Sequence, residues 1–194
     1  MDLYRIALFL HIVTLIVAAG ASAVMKLAAS RRANASTARE MLDWHGVMSS
    51  TGIAFPICLA AFVVTGSYML SFAQARIWSA GFVVAGLAGV VLLFASGGYL
   101  KRKAKELEQV LQTIVARSPD AAAPRLVPPL LVTLLPVVNS GIVFAVVFDM
   151  VLKPASVSVA LGVLAVGIIL ASLIALSRRP AGVPASAVQV ARAD

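Results

Sequence analysis

The stretch LYRIALFLHIVTLIVAAGASAVMKL, residues 3–27, decides the fold. Its only formal charges are Arg5 and Lys26, one near each end. The residues between them make an apolar run of the length, about 20 residues, that a helix needs to cross a hydrocarbon core of about 30 Å. Inside a bilayer a backbone must satisfy its own hydrogen bonds, and within one segment only a helix does so. Four more apolar stretches follow at residues 46–72, 78–100, 127–152 and 156–176. All five are continuous runs. A membrane β-barrel would instead show alternating segments of about ten residues.

The rest of the chain agrees. Of 194 residues, 61% are hydrophobic and 12% charged, against about half and about a quarter in a soluble domain. Too little polar surface remains to cover a globule in water. The expected fold is therefore an all-α membrane protein, a five-transmembrane-helix bundle over residues 1–177 with a flexible tail at 178–194. The net charge of +8 would point to nucleic acid in a soluble protein. Here its distribution points to membrane orientation instead. Thirteen Lys and Arg residues fall at 26–39, 101–125 and 178–192, and only Arg5, Arg76 and Lys153 fall on the opposite side. That asymmetry places the N-terminus outside and the C-terminus in the cytoplasm. The competing reading of residues 1–23 as a cleaved signal peptide ending in Ala-Ser-Ala would put Arg31, Arg32 and Arg39 outside, against the charge rule. In residues 101–117, Ala104, Leu107, Val110, Leu111, Ile114 and Val115 recur at helical spacing. The third helix is thus expected to continue into the cytoplasm as an amphipathic extension, or to lie on the membrane surface. The single cysteine, Cys58, excludes an intrachain disulfide.

Small-residue ridges, Gly81/Ala85/Gly89 and Gly167/Ala171/Ala175, suit close helix packing within the chain or between copies. Polar residues at membrane depth are costly and single out candidate positions. His11 lies about 12 Å into the first helix, on a face with Thr14, Ala18, Ser22 and Met25. It is either a ligand for a metal or haem iron, a proton carrier, or a histidine satisfied by a neighbouring hydroxyl or carbonyl. His45, beside Trp44, reads as an interfacial histidine in contact with water, and as a weaker ligand candidate. The two histidines are expected in different leaflets, so one haem held by both is awkward. Asp149, four residues before Lys153, has the spacing of an ion pair, with a proton relay as the alternative. Asn139, Ser140 and Pro136 make the fourth helix irregular and polar at its middle.

No nucleotide-binding loop, dinucleotide fingerprint, nucleophile elbow or Cys/His metal cluster occurs. The opening LYRIALFLHIVTLIVAAGASAVMK resembles the first helix of the bacterial haem-binding protoporphyrinogen oxidase family and of the related copper-resistance protein D-like membrane proteins. GIAFPICLAAFVVTGSYML (52–70), RIWSAGFVVAGLAGVVLLFASGGYLKRK (76–103) and LPVVNSGIVFAVVFDMVLKP (135–154) resemble the second, third and fourth helices in order. The likeness is greatest to a branch of predicted integral membrane proteins with the same ending at residues 149–154. The resemblance implies haem b as cofactor, with His11 as axial ligand. The family's early third-helix lysine has no counterpart in Trp78-Ser79-Ala80-Gly81, where Gly81 falls near that position, and a fifth helix is added to the usual four.

The functional expectation is a bacterial inner-membrane, multi-pass protein using haem b for redox chemistry or tetrapyrrole handling. The alternatives are a non-catalytic accessory subunit of a membrane complex, and a copper or small-solute transport protein using scattered methionines such as Met25, Met41, Met48, Met69 and Met150. Its expected partners are the lipid bilayer and a homo-oligomer or larger membrane complex, with no nucleic acid.

Overall fold

The computed structural model describes residues 2–72, 78–118, 120–124 and 128–177. Arg76, Arg125, the first residue of the expected fourth segment and the tail from 178 therefore lie outside the described residues. Among those described, the chain is helical: α1 (Leu3–Ala33), α2 (Ala38–Gly52), α3 (Ala54–Ser71), α4 (Gly81–Arg117), α5 (Leu130–Leu152) and α6 (Val157–Ser177). With α2 and α3 taken together over Ala38–Ser71, five helices are long and apolar enough to cross a membrane. This is the pattern of a multi-pass membrane protein. Large apolar side chains point outward along them, with Phe144, Phe94 and Val64 at 76%, 72% and 68% exposure. Such a surface suits lipid and would be an aggregation liability in water.

The helix ends differ from the ends of the apolar runs for local reasons. α1 starts at Asp2, whose carboxylate accepts from the Tyr4 N–H. It continues past Leu27 to Ala33, with Arg31 and Arg32 in its last turn, where positive charge favours the helix dipole. At about 1.5 Å per residue it measures roughly 46 Å, well beyond a hydrocarbon core. Thr37 caps α2 through the Glu40 N–H, while the Glu40 carboxylate accepts from the Ser36 N–H and hydroxyl, a variant of the capping box. The expected second span is divided at Ile53. Pro56 has no N–H to give the Gly52 carbonyl, and its ring crowds that carbonyl. α4 runs on as one helix through residues 101–117 to Arg117.

The chain divides into two compact units, Met1–Ser79 with Gly97–Pro124, and Ala80–Ser96 with Arg125–Asp194. In the first, α1 packs along α2 and α3. One face of α1 is consistently the least exposed: Ala7 and Ala28 are buried, and His11, Thr14, Ala18, Ser22, Met25 and Arg32 are half-buried. After α4 the chain is tied to the α1–α2 turn by an antiparallel bridge, with the Ala38 N–H donating to the Ala121 carbonyl and the Ala123 N–H to the Ser36 carbonyl.

In the second unit, α5 and α6 meet backbone to backbone. A Cβ on Gly141 would stand 2.5 Å from the Gly167 carbonyl oxygen and 2.6 Å from the Ala171 Cβ. A Cβ on Gly89 would stand 2.6 Å from Val146. Both small-residue ridges thus pack within the chain. The N-terminus of α4 is capped by the turn after α5, with the Gly81 N–H donating to the Ala155 carbonyl (3.0 Å) and the Phe82 N–H to the Pro154 carbonyl (3.2 Å). That turn begins at Lys153, the left-handed C-cap of α5 (φ 49°), and passes into Pro154, a common helix stop.

Replacing Gly141 by Leu should lower stability by about 3 kcal/mol or more, because overpacked backbones have no side chain to yield. Gly162→Ala, with open space around its Cβ, should be near neutral. Thermal unfolding of the detergent-solubilised protein measures both.

Candidate functional site

His11 sits where α1 meets α3. Its Nδ1 lies 2.8 Å from Thr65 Oγ1, and Phe62 packs edge-on against the ring, 4.9 Å between centroids. The Thr65 hydroxyl donates to the Ala61 carbonyl at 2.6 Å, so towards His11 its oxygen accepts. Nδ1 must then carry the proton, and Nε2 keeps its lone pair. A neutral imidazole with one nitrogen donating to a protein acceptor is the arrangement in which histidines usually bind metals through the other nitrogen. Gly66 lies against the ring, its Cβ position 3.8 Å from Cε1. The expectation of a hydroxyl partner therefore holds for one nitrogen and leaves the other open.

His45 is not the water-exposed interfacial histidine expected. It is 1% exposed. The reason is the extra length of α1, which carries Arg32 back onto α2. Arg32 Nη1 lies 3.1 Å from His45 Nδ1. A guanidinium can only donate, so Nδ1 accepts and the ring proton is on Nε2. Nε2 makes no hydrogen bond of good geometry, although the Ala104 carbonyl and Glu108 of α4 lie near enough to act on the ring. Arg32 follows His11 by 21 positions on the same helix, which puts the two histidine sites roughly 30 Å apart along α1. A single haem does not reach both.

The polar middle of α5 is accounted for locally. Asn139 Oδ1 accepts from Ser96 of α4 at 2.8 Å, and Ser140 donates to the Pro136 carbonyl at 3.1 Å. Ser22 is half-buried on α1 and joins neither histidine. Asp149 is 0% exposed, and neither of its carboxylate oxygens has a hydrogen-bond partner. The expected pair with Lys153 is not made. The left-handed turn at Lys153 ends the helical register on which the i, i+4 pairing depends. Only the backbone contact remains, the Lys153 N–H donating to the Asp149 carbonyl at 2.7 Å. Gly81 cannot carry a side chain of any kind, since its Cβ would collide with the Ser156 carbonyl. The lysine absent from this position therefore has no room to be restored.

Among the described residues no three of His, Cys, Asp and Glu come together as a metal cluster. The sequence pointed to His11, His45 and Asp149 individually. It did not indicate Thr65 or Arg32 as partners, because pairs between helices have no spacing to read. If the Arg32–His45 contact contributes to folding, a double-mutant cycle with Arg32→Met and His45→Leu should show a coupling of about 1 kcal/mol, reduced by the partial exposure of Arg32. A coupling near zero would assign the contact no energetic role.

The chain matches no protein-family model, no curated protein and no solved structure.

Proposed function

We propose that this is a bacterial inner-membrane protein, N-terminus outside and C-terminus in the cytoplasm, that binds haem b through His11 for redox chemistry or tetrapyrrole handling. The observation that carries the reading is the proton assignment at His11. The Nδ1–H donates to Thr65, which leaves the Nε2 lone pair to ligate iron, and large apolar side chains such as Leu8, Ile12 and Val63 are exposed on α1 and α3. The resemblance of the first four helices to the haem-binding oxidase family supports the same cofactor. The oxidase reaction itself does not carry over, because the third-helix lysine is replaced by a glycine in contact with backbone. When bound, the haem would supply one-electron chemistry or be the cargo handled. The chain's own contribution is to orient one imidazole and keep it neutral. The orientation in the membrane rests on the Lys/Arg asymmetry.

A second reading, an accessory subunit, is favoured by one observation. An apolar groove lined by Phe144, Phe148, Leu170 and Ile174 runs along α5 and α6, a face that an apolar partner helix would cover. The copper reading finds less support. Met150 packs its methyl group against Gly86, the ordinary role of methionine in a helix seam.

Protein purified from haem-replete cells should show a Soret band that is lost in His11→Ala, weakened in Thr65→Val and kept in His45→Ala. A colourless preparation would overturn the haem reading. A stoichiometric partner retained in mild detergent would support the accessory one. A C-terminal fusion to a reporter active only in the cytoplasm should be active.

A further inference from the structure

Asp149 is the only ionisable side chain on the three helical segments of the second unit. Ala80–Ser96, α5 apart from Asp149, and α6 contain no Asp, Glu, His, Lys or Arg. No charge faces Asp149 from α4 or α6, and Lys153, in the turn beyond, is exposed. Asp149 lies on the face of α5 that buries Ile142 and Ala145, and the opposing helices bury Ala85 and Ala160 at 0% exposure. It is fully enclosed, and both carboxylate oxygens are unpartnered. Among the described residues no counter-charge and no hydrogen-bond partner meets the carboxyl, and an ionised carboxylate so placed is far costlier to hold than its protonated form.

We propose that Asp149 is a proton-binding site, a carboxyl group that stays protonated at neutral pH inside the second unit and exchanges its proton when the α4–α5–α6 packing opens. The exit is the turn one helical turn away. The Asp149 carbonyl holds the Lys153 N–H, and the Pro154 and Ala155 carbonyls hold the start of α4. Separation of those two caps uncovers the carboxyl. The ligand is the proton itself, and the surface polarity of the unit changes by one charge when it leaves.

The other acidic groups make a clean test. Of eight Asp and Glu in the chain, Asp194 lies outside the described residues; among the other seven, Asp2, Glu40, Asp43, Glu106 and Asp120 are exposed and Glu108 is half-buried, and Asp149 alone is buried. Infrared spectra of the full chain in detergent at neutral pH should show one carbonyl-stretch band of a protonated carboxyl. It should vanish in D149N and shift down on transfer to heavy water. Absence of the band, or its persistence in D149N, overturns the proposal. A band that never shifts in heavy water overturns the exchange. Should D149N fail to fold, the unmodified protein carries the test through dicyclohexylcarbodiimide. A protonated carboxyl adds its O–H across one C=N bond of the reagent, giving an O-acylisourea that rearranges to a stable N-acylurea with no leaving group. Peptide mass mapping should place that adduct on Asp149, with labelling that declines as pH rises. Labelling confined to other carboxyls refutes the site.

Discussion

In a bilayer the hydrophobic effect does not draw one helix to another, because lipid tails are as apolar as leucine. What holds helices together is close approach, and here that approach is made where side chains are missing. Gly141 faces the Gly167 backbone, Gly89 faces Val146 and Ile142, and Gly81 faces the carbonyls of the turn after α5. The buried apolar positions are accordingly dominated by alanine, while many of the larger side chains, Phe94, Phe144 and Val64 among them, lie outward. A larger residue at Gly141 or Gly81 would part the backbones that meet there.

The spans were legible in the sequence because a continuous run of about 20 apolar residues is rarely anything but a membrane-crossing helix. Their ends were not. Hydropathy reports where lipid stops, whereas a helix stops where its backbone hydrogen bonds fail. α1 passes Leu27 without interruption and carries Arg32 to His45. α4 passes Leu100 into a charged stretch that still has helical spacing. In the other direction, the apolar run at 46–72 concealed a break that Pro56 imposes at Ile53.

The polar positions were legible as positions and only in part as chemistry. The stripe from His11 to Met25 follows from helical periodicity, and the structure places it on the less exposed face of α1. The partner of His11, 54 residues away on α3, leaves no trace in local spacing. For Asp149 the local spacing misled. An i, i+4 pair presupposes a helix through both residues, and the left-handed backbone at Lys153 removes that premise.

One chemical asymmetry organises these groups. A hydroxyl in a helix can return its proton to a carbonyl four residues back, as Thr14 does to Leu10, Ser140 to Pro136 and Ser172 to Ile168. It needs nothing from a neighbouring helix. A neutral histidine has one donor and one acceptor, so His11 is half satisfied by Thr65 and keeps a lone pair for something else. A carboxylate has acceptors only, and in a helix interior every nearby N–H is already taken. It must find a donor on another element, as Glu40 does at Ser36, or it must take up a proton. Neither oxygen of the buried Asp149 carboxyl has a hydrogen-bond partner, so the second course is the one left open to it.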